Sequence, residues 1–218
     1  ASGLFCGRRF MGSTITSQAP KRRQLRGSAV QPKLRLNLGS GLNKREGFIN
    51  VDKFAFGQPD RLMDLEQTPW DFPDNSVAEV VLNHTLEHLG KEVETFFAIM
   101  KELYRVCENG ARIEINVPHP RHRDFMNDPT HVRIITPELL NLFSKKLCLE
   151  WQKMGAANSP LALYLDVDFE VVSSVINVEP TYLRQMQSGK LSEEQLLEMV
   201  ELYNNIGKEY RIILQPVK

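Results

Sequence analysis

The most informative stretch of the chain is Leu34-Arg35-Leu36-Asn37-Leu38-Gly39-Ser40-Gly41, with Asp52 eleven positions after Gly41. A short alternating apolar run enters a Gly-x-Gly turn. A second short run, Phe48-Ile49-Asn50-Val51, ends in that acid. Glycines, lacking Cβ, let backbone come close to a ligand, and a carboxylate at the end of the next strand can accept the hydroxyls of a ribose diol. This is how a parallel sheet holds an adenosine-containing cofactor. A Gly-x-Gly turn alone is common, but here three downstream segments agree with it, in the right order.

The second loaded stretch is His119-Pro120-Arg121-His122-Arg123-Asp124-Phe125-Met126-Asn127-Asp128-Pro129-Thr130-His131-Val132-Arg133. Three His and two Asp within 13 residues suggest metal ligation. Against it, the stretch lacks a fixed helical ligand pair and His122 is flanked by Arg on both sides, so no metal ligand is assigned. A His that titrates near neutrality suits a general base, with a carboxylate to orient it. His131 with Asp128 is the preferred base and orienter, and His119 the second choice. Arg121, Arg123 and Arg133 could clamp a carboxylate or phosphate. The bland alternative is that Asp128-Pro129-Thr130-His131 forms a capped turn that satisfies its own backbone.

Alternating elements must position these groups. Strands are expected at about 33–38 and 48–52, with a short one from Asp60 to Leu65. Pro69 to Ser76 is dense in turn formers. Val77 to Asn83 carries Val80-Val81-Leu82, a continuous apolar run suited to a buried central strand. Val93, Phe96, Phe97, Met100, Leu103, Tyr104 and Cys107 repeat every three or four residues, which predicts a helix over 92–107 lying on a sheet. Asn109-Gly110 is expected to end it with a left-handed cap. Ala111 to Val117 alternates as a strand and stops at Pro118. Thr136 and Pro137 open a helix to about Leu147, Phe169 to Val178 is a strand, Ser192 caps a helix to about Asn205, and Glu209 to Leu214 is the last strand. There is no internal repeat and no second folded domain.

The chain has 218 residues, 42% hydrophobic and 25% charged, as one soluble globular domain would. No apolar run approaches the ~20 residues a membrane helix needs. The formal net charge is zero but lopsided. Residues 1–45 carry ten Lys/Arg and no acid, which leaves 17 basic against 27 acidic residues, a net of −10, on the remainder. Such an acidic body argues against broad nucleic-acid binding. Residues 1–31 are rich in Arg, Ser, Gly and Gln and lack periodicity. They are expected to be a disordered basic tail, either a targeting segment or an expression remnant, with residues 32–218 as the folded domain. Met11-Gly12-Ser13-Thr14 fits myristoylation only if translation starts at Met11. Cys6, Cys107 and Cys148 are odd in number and unpaired in spacing, so Cys107 and Cys148 are expected in the core of a protein from a reducing compartment. The cytoplasm is expected, or an organellar matrix if the tail is a transit peptide.

Leu36-Asn37-Leu38-Gly39-Ser40-Gly41, Asp52, Asp64-Leu65, Phe72-Pro73-Asp74-Asn75-Ser76 followed by Val80-Val81-Leu82-Asn83-His84-Thr85-Leu86-Glu87-His88-Leu89, and Leu103 to Ile113 together resemble the class I S-adenosylmethionine-dependent methyltransferases of the methyltransferase-11 type. The resemblance covers roughly 33–147 by motif and the chain to 218 by element order. It implies an α/β fold with a doubly wound, Rossmann-like seven-stranded sheet, mostly parallel with an antiparallel last strand. It also implies that S-adenosyl-L-methionine is held by Asn37, Gly39, Ser40, Gly41, Asp52, Asp64, Leu65, Asn83 and His84. The family commonly has an acid where Asn37 stands. The segment around Asp128-Pro129-Thr130-His131 resembles a loop of some bacterial-type methyltransferases found near sugar-modifying enzymes. The expected reaction is methyl transfer to O or N of a small polar acceptor, such as a sugar or related metabolite. The alternatives are an RNA methyltransferase guided by the tail and a non-catalytic cofactor-binding partner subunit. Asn-Pro-Pro-Tyr is absent after the fourth strand and no Pro-Cys motif occurs, so DNA bases are not the expected substrate. The Walker pattern is also absent.

Overall fold

A computed structural model describes residues 33–218. The expected tail of residues 1–31, Cys6 and the Met11 segment lie outside the described residues. Seven strands form one sheet in the order β3-β2-β1-β4-β5-β7-β6. In chain order the elements are β1 Leu34–Leu38, β2 Ile49–Asp52, β3 Arg61–Leu62, β4 Val77–Asn83, α1 Val93–Val106, β5 Cys107–Pro118, α2 Arg123–Met126, α3 Pro137–Asn141, α4 Lys145–Met154, α5 Leu161–Leu165, β6 Phe169–Val178, α6 Pro180–Gln187, α7 Glu193–Leu202 and β7 Gly207–Pro216. The pairings β3-β2, β2-β1, β1-β4 and β4-β5 are parallel, and β7 runs antiparallel to both neighbours. This is the doubly wound α/β sheet expected from the sequence, with its antiparallel last strand. Among the described residues no helix is long and apolar enough to cross a membrane.

The central strands are buried through the alternate leucines of β1 and the continuous Val80-Val81-Leu82 run of β4. Val80, Val81 and Leu82 of β4 and Leu36 and Leu38 of β1 have no exposed surface. Helix α1 buries Phe96, Met100 and Leu103 of the stripe its periodicity marks, together with Ile99 and Val106, in the same core, while Val93 of that stripe is exposed. Cys107 and Cys148 are both buried free thiols, and burial pushes the Cys107 thiol up to about 12.

Three local expectations are corrected. Asn109-Gly110 does not cap α1, which ends at Val106 with Cys107 already extended. Gly110, at φ +71°, instead serves a bulge in β5, where the step from Val77 to Glu79 on β4 is matched by the step from Cys107 to Arg112. The third strand shrinks to two residues because its flanking acids are used locally. Asp60 Oδ2 accepts from Asn50 N and Asn50 Nδ2, at 2.8 and 2.7 Å, and Asp64 Oδ1 accepts from Glu66 N at 3.0 Å. The helix expected from Pro137 to Leu147 is divided, since Ser144 Oγ accepts from Leu147 N and starts α4. Helices α5 and α6 were not expected, being too short and irregular in pattern to stand out.

Candidate functional site

The site lies at the carboxyl ends of β1, β2 and β4, where open α/β sheets bind ligands. The chain leaves β1 through Gly39 at φ +69°, and the Gly39 and Ser40 amides both donate to Val51 O, at 2.9 and 3.0 Å. Asp52, at the end of β2, then staples the turn. Its Oδ2 accepts from Gly41 N at 2.8 Å and its Oδ1 from Phe54 N at 2.9 Å. A carboxylate offers about four acceptor positions, so capacity remains on both oxygens. Behind the turn, Thr85 Oγ1 donates to Leu38 O at 3.1 Å and presses its side chain against Gly39.

A cavity of about 360 Å³ opens here, lined by Gly39, Asp52, Lys53, Phe54, Met63, Asp64, Leu65, His84, Thr85, His88, Leu89 and Thr130. Five of the nine residues expected to hold a cofactor, Gly39, Asp52, Asp64, Leu65 and His84, thus share one cavity. Asn37 does not reach it. Asn37 is buried and its Nδ2 donates to Asn43 O and Asn50 Oδ1, both at 2.9 Å, so it holds the loop between β1 and β2. Ser40 is buried and its Oγ has no hydrogen-bond partner among the described residues. Gly41, at φ +49°, has open space where a Cβ would stand. Asn83 lies outside the lining, with Oδ1 accepting from Asn116 Nδ2 at 3.2 Å.

The histidines of the long loop are dispersed. His119 is packed against Tyr210, with ring centroids 5.1 Å apart, and its Nδ1 accepts from Arg121 N at 3.2 Å. Burial lowers its pKa, but it is not in the cavity lining, so the second-choice base is not carried forward. His122 is buried, with Nε2 on Glu179 Oε1 at 3.0 Å, which anchors the loop to the residue preceding α6. His131 does come to the edge of the site. Its Nδ1 meets Phe125 O at 2.9 Å, and its ring lies 4.6 Å from that of His88, centroid to centroid. The expected His131–Asp128 pairing is loose, at 3.8 Å from Nε2 to Oδ2. Asp128 spends its other oxygen on Thr130, accepting from Thr130 N at 2.8 Å and Thr130 Oγ1 at 2.6 Å, and these bonds hold its carboxyl below the usual range. The capped turn and the approach of His131 to the site therefore coexist. Of the three arginines, only Arg133 is fixed near the site, with Nη2 donating to Gly90 O at 2.5 Å and the guanidinium 4.3 Å over the Phe96 ring.

Glu87 joins the site although it is not among the residues expected from sequence. It is fully buried, and neither carboxylate oxygen has a hydrogen-bond partner among the described residues. His84 Nδ1 approaches Oε1 at 3.4 Å without hydrogen-bonding alignment, and His84 Nε2 contacts Glu209 Oε2 at 3.1 Å. Glu87 first and Glu209 with it raise the His84 pKa above its ordinary value, against a smaller opposing effect of burial. The one available signal was the adjacent pair Glu87-His88 just past a strand end. His88 read as a packing residue, and Thr130 as part of a turn.

Among solved structures, the chain is similar to a SAM dependent methyltransferase from Archaeoglobus fulgidus, at 21% identity over 85% of this chain and 86% of that one, with a TM-score of 0.50. It is also similar to a SAM-dependent methyltransferase from Methanosarcina mazei, at 13% identity over 84% and 91% with a TM-score of 0.48. The YcgJ protein from Bacillus subtilis gives 13% identity over 85% and 92% with a TM-score of 0.47. No family model and no curated protein matches the chain. The strand order and the likeness to the Archaeoglobus structure together show that the described chain has the class I methyltransferase fold.

Proposed function

We propose that the protein is an S-adenosylmethionine-dependent methyltransferase that methylates O or N of a small polar acceptor. The observation that carries this reading is that the Gly39 turn, the Asp52 carboxylate and the Asp64 carboxylate open on one cavity. The residues fit the cofactor. Asp52 and Asp64 put two negative charges beside the place of a cationic nucleoside, Leu65 and Met63 supply apolar walls, and the cavity is within the size of small-molecule sites. When bound, S-adenosylmethionine supplies an electrophilic methyl group on its sulfonium.

The chain's own residues would act mainly by placement. Asp52 would accept from the ribose diol while continuing to hold the Gly41 and Phe54 amides, and Asp64 would accept from the adenine amine beside Leu65. Fixing donor and acceptor in line removes most of the entropic barrier to a bimolecular transfer. Handling of the acceptor falls to the histidine–carboxylate cluster at the cavity edge, which includes His131, the base expected from sequence. Asp128 serves there by holding Thr130.

Calorimetry with S-adenosylmethionine tests the assignment. Asp52→Asn keeps the size of the side chain and one acceptor oxygen but loses the charge, a net loss of about one charge-assisted bond, worth about 1.5–3 kcal/mol. Affinity should fall about 10- to 100-fold. Equal binding by wild type and Asp52→Asn would refute the role of Asp52, and no binding by either at millimolar cofactor would refute the methyltransferase reading.

A further inference from the structure

We propose that Glu87, His88 and His131 form a binding site for a divalent first-row transition cation at the edge of the cavity. One ligand atom from each of the three residues lies within 4.8 Å of the others. Spacing in the loop gave no reason to expect this, because two of the three ligands come from the segment after β4 and only His131 comes from the loop.

The first observation is the state of Glu87. Its side chain is 1% exposed and both oxygens lack a hydrogen-bond partner among the described residues. A buried carboxylate left like this is costly, and carboxylates in such places are paired or bound to metals. His84 faces Glu87 at 3.4 Å but is shared with Glu209 and is poorly aligned.

The second, independent observation is how the two imidazoles are held. The Thr130 hydroxyl donates to Asp128 Oδ1 at 2.6 Å, so toward His88 Nδ1, at 2.9 Å, it acts as acceptor. His88 Nδ1 therefore carries the proton. His131 Nδ1 faces the Phe125 carbonyl at 2.9 Å, and a carbonyl can only accept. His131 Nδ1 is therefore protonated as well. Neutral rings with Nδ1–H have a free lone pair on Nε2, and outer groups that fix the tautomer in this way are the usual support of metal-bound histidine. The loop is also strapped to the first ligand's backbone, since Val132 N and Arg133 N both donate to Glu87 O, at 2.9 and 3.2 Å. The ring supports and the loop strap thus hold the three residues side by side, with a small inward shift left for ion binding.

Two imidazoles and one carboxylate suit Zn²⁺, Mn²⁺ or Fe²⁺ rather than Mg²⁺, which prefers oxygen alone. Three protein ligands leave positions open, and His88 and Thr130 are in the cavity lining. On the methyltransferase reading, on which this last step alone rests, the open positions would hold an oxygen donor of the acceptor. His131 is then a ligand and not the base.

The test uses the full chain after chelator treatment. Titration with Zn²⁺ alone, and separately with Mn²⁺, should give one equivalent bound, while Mg²⁺ gives none under the same conditions. Glu87→Gln and His131→Ala should each weaken binding at least tenfold, Thr130→Val about 10- to 100-fold through loss of the His88 support, and Asp124→Asn not at all. Zn²⁺ should raise the Tm of wild type and leave that of Glu87→Gln unchanged, which separates a ligand from a residue needed only for folding. Binding that survives Glu87→Gln and His131→Ala, or wild type that binds no better than either, overturns the proposal. Asp52→Asn should keep Zn²⁺ binding intact. Wild type that binds Zn²⁺ but no S-adenosylmethionine counts against the proposed function alone, and wild type that binds S-adenosylmethionine but no Zn²⁺ counts against the metal site alone.

Discussion

Gly39 and Gly41 belong to the same short motif, yet the structure gives them different reasons to be glycine, and replacing each by alanine separates those reasons. Both have positive φ, +69° and +49°. A side chain there costs roughly 1–2 kcal/mol in backbone conformation. For Gly41→Ala that is the whole cost, because nothing lies within 4 Å of the new Cβ. For Gly39→Ala the Cβ would stand 2.4 Å from both Thr85 Cγ2 and Oγ1 and 2.9 Å from Thr85 Cβ. Thr85 is buried and pinned by its bond to Leu38 O, so it cannot swing clear cheaply. Overpacking of this kind adds about 1–3 kcal/mol. A domain of this size loses about 2–4 °C of Tm per kcal/mol. Gly39→Ala should therefore melt about 2–12 °C below Gly41→Ala. Adding Thr85→Ala should recover only part of the difference, since the Cβ-to-Cβ approach of 2.9 Å persists. Thermal unfolding followed by circular dichroism of the four proteins decides it. Equal Tm for the two single variants would refute the steric argument.

Arg105 gathers the loop before β4 onto α1. It donates to Phe72 O and Trp70 O, both at 2.9 Å, to Asp74 Oδ1 at 2.6 Å, and by two bonds to the buried Glu102 at 2.8 and 2.7 Å. Arg105→Ala strands Glu102 and should cost about 3 kcal/mol, and Arg105→Lys should restore only part because it lacks the planar fork; urea unfolding measures both, and full rescue by Lys would contradict the bidentate account. Asp60 is held down to about 2 by the Asn50 amide first, then by the Asn50 side chain and Lys44. Its folded value is depressed below an unfolded value of about 3.9, so its stabilisation is present above about pH 4 and is lost as pH falls toward 2. Asp60→Asn should flatten the acid limb of the stability profile between those pH values, and an unchanged limb would remove Asp60 as its source.

The local parts of this protein were legible because they are periodic. An alternating apolar run gave β1 and a continuous one β4, the three-and-four spacing gave α1, and Ser192 with Gln195 announced the capping box of α7. The Gly39 turn and Asp52 could be matched to a nucleoside-holding arrangement from their order alone. What stayed hidden depends on which atoms meet across the chain. Asn37 reads like a ligand contact, but Asn43 and Asn50 consume its amide within the loop. The long loop reads as one cluster of three histidines, yet folding sends His119 to Tyr210, His122 to Glu179 and His131 to His88. Glu87 carries only one weak sequence mark, its place beside His88 just past a strand end. It becomes a candidate ligand only because the fold buries it without a hydrogen bond and straps His131 across its backbone. Sequence pattern records which face of an element is apolar, because burial repeats with the period of the element. It does not record which polar groups converge, because that is set by the packing of elements whose separation along the chain carries no period.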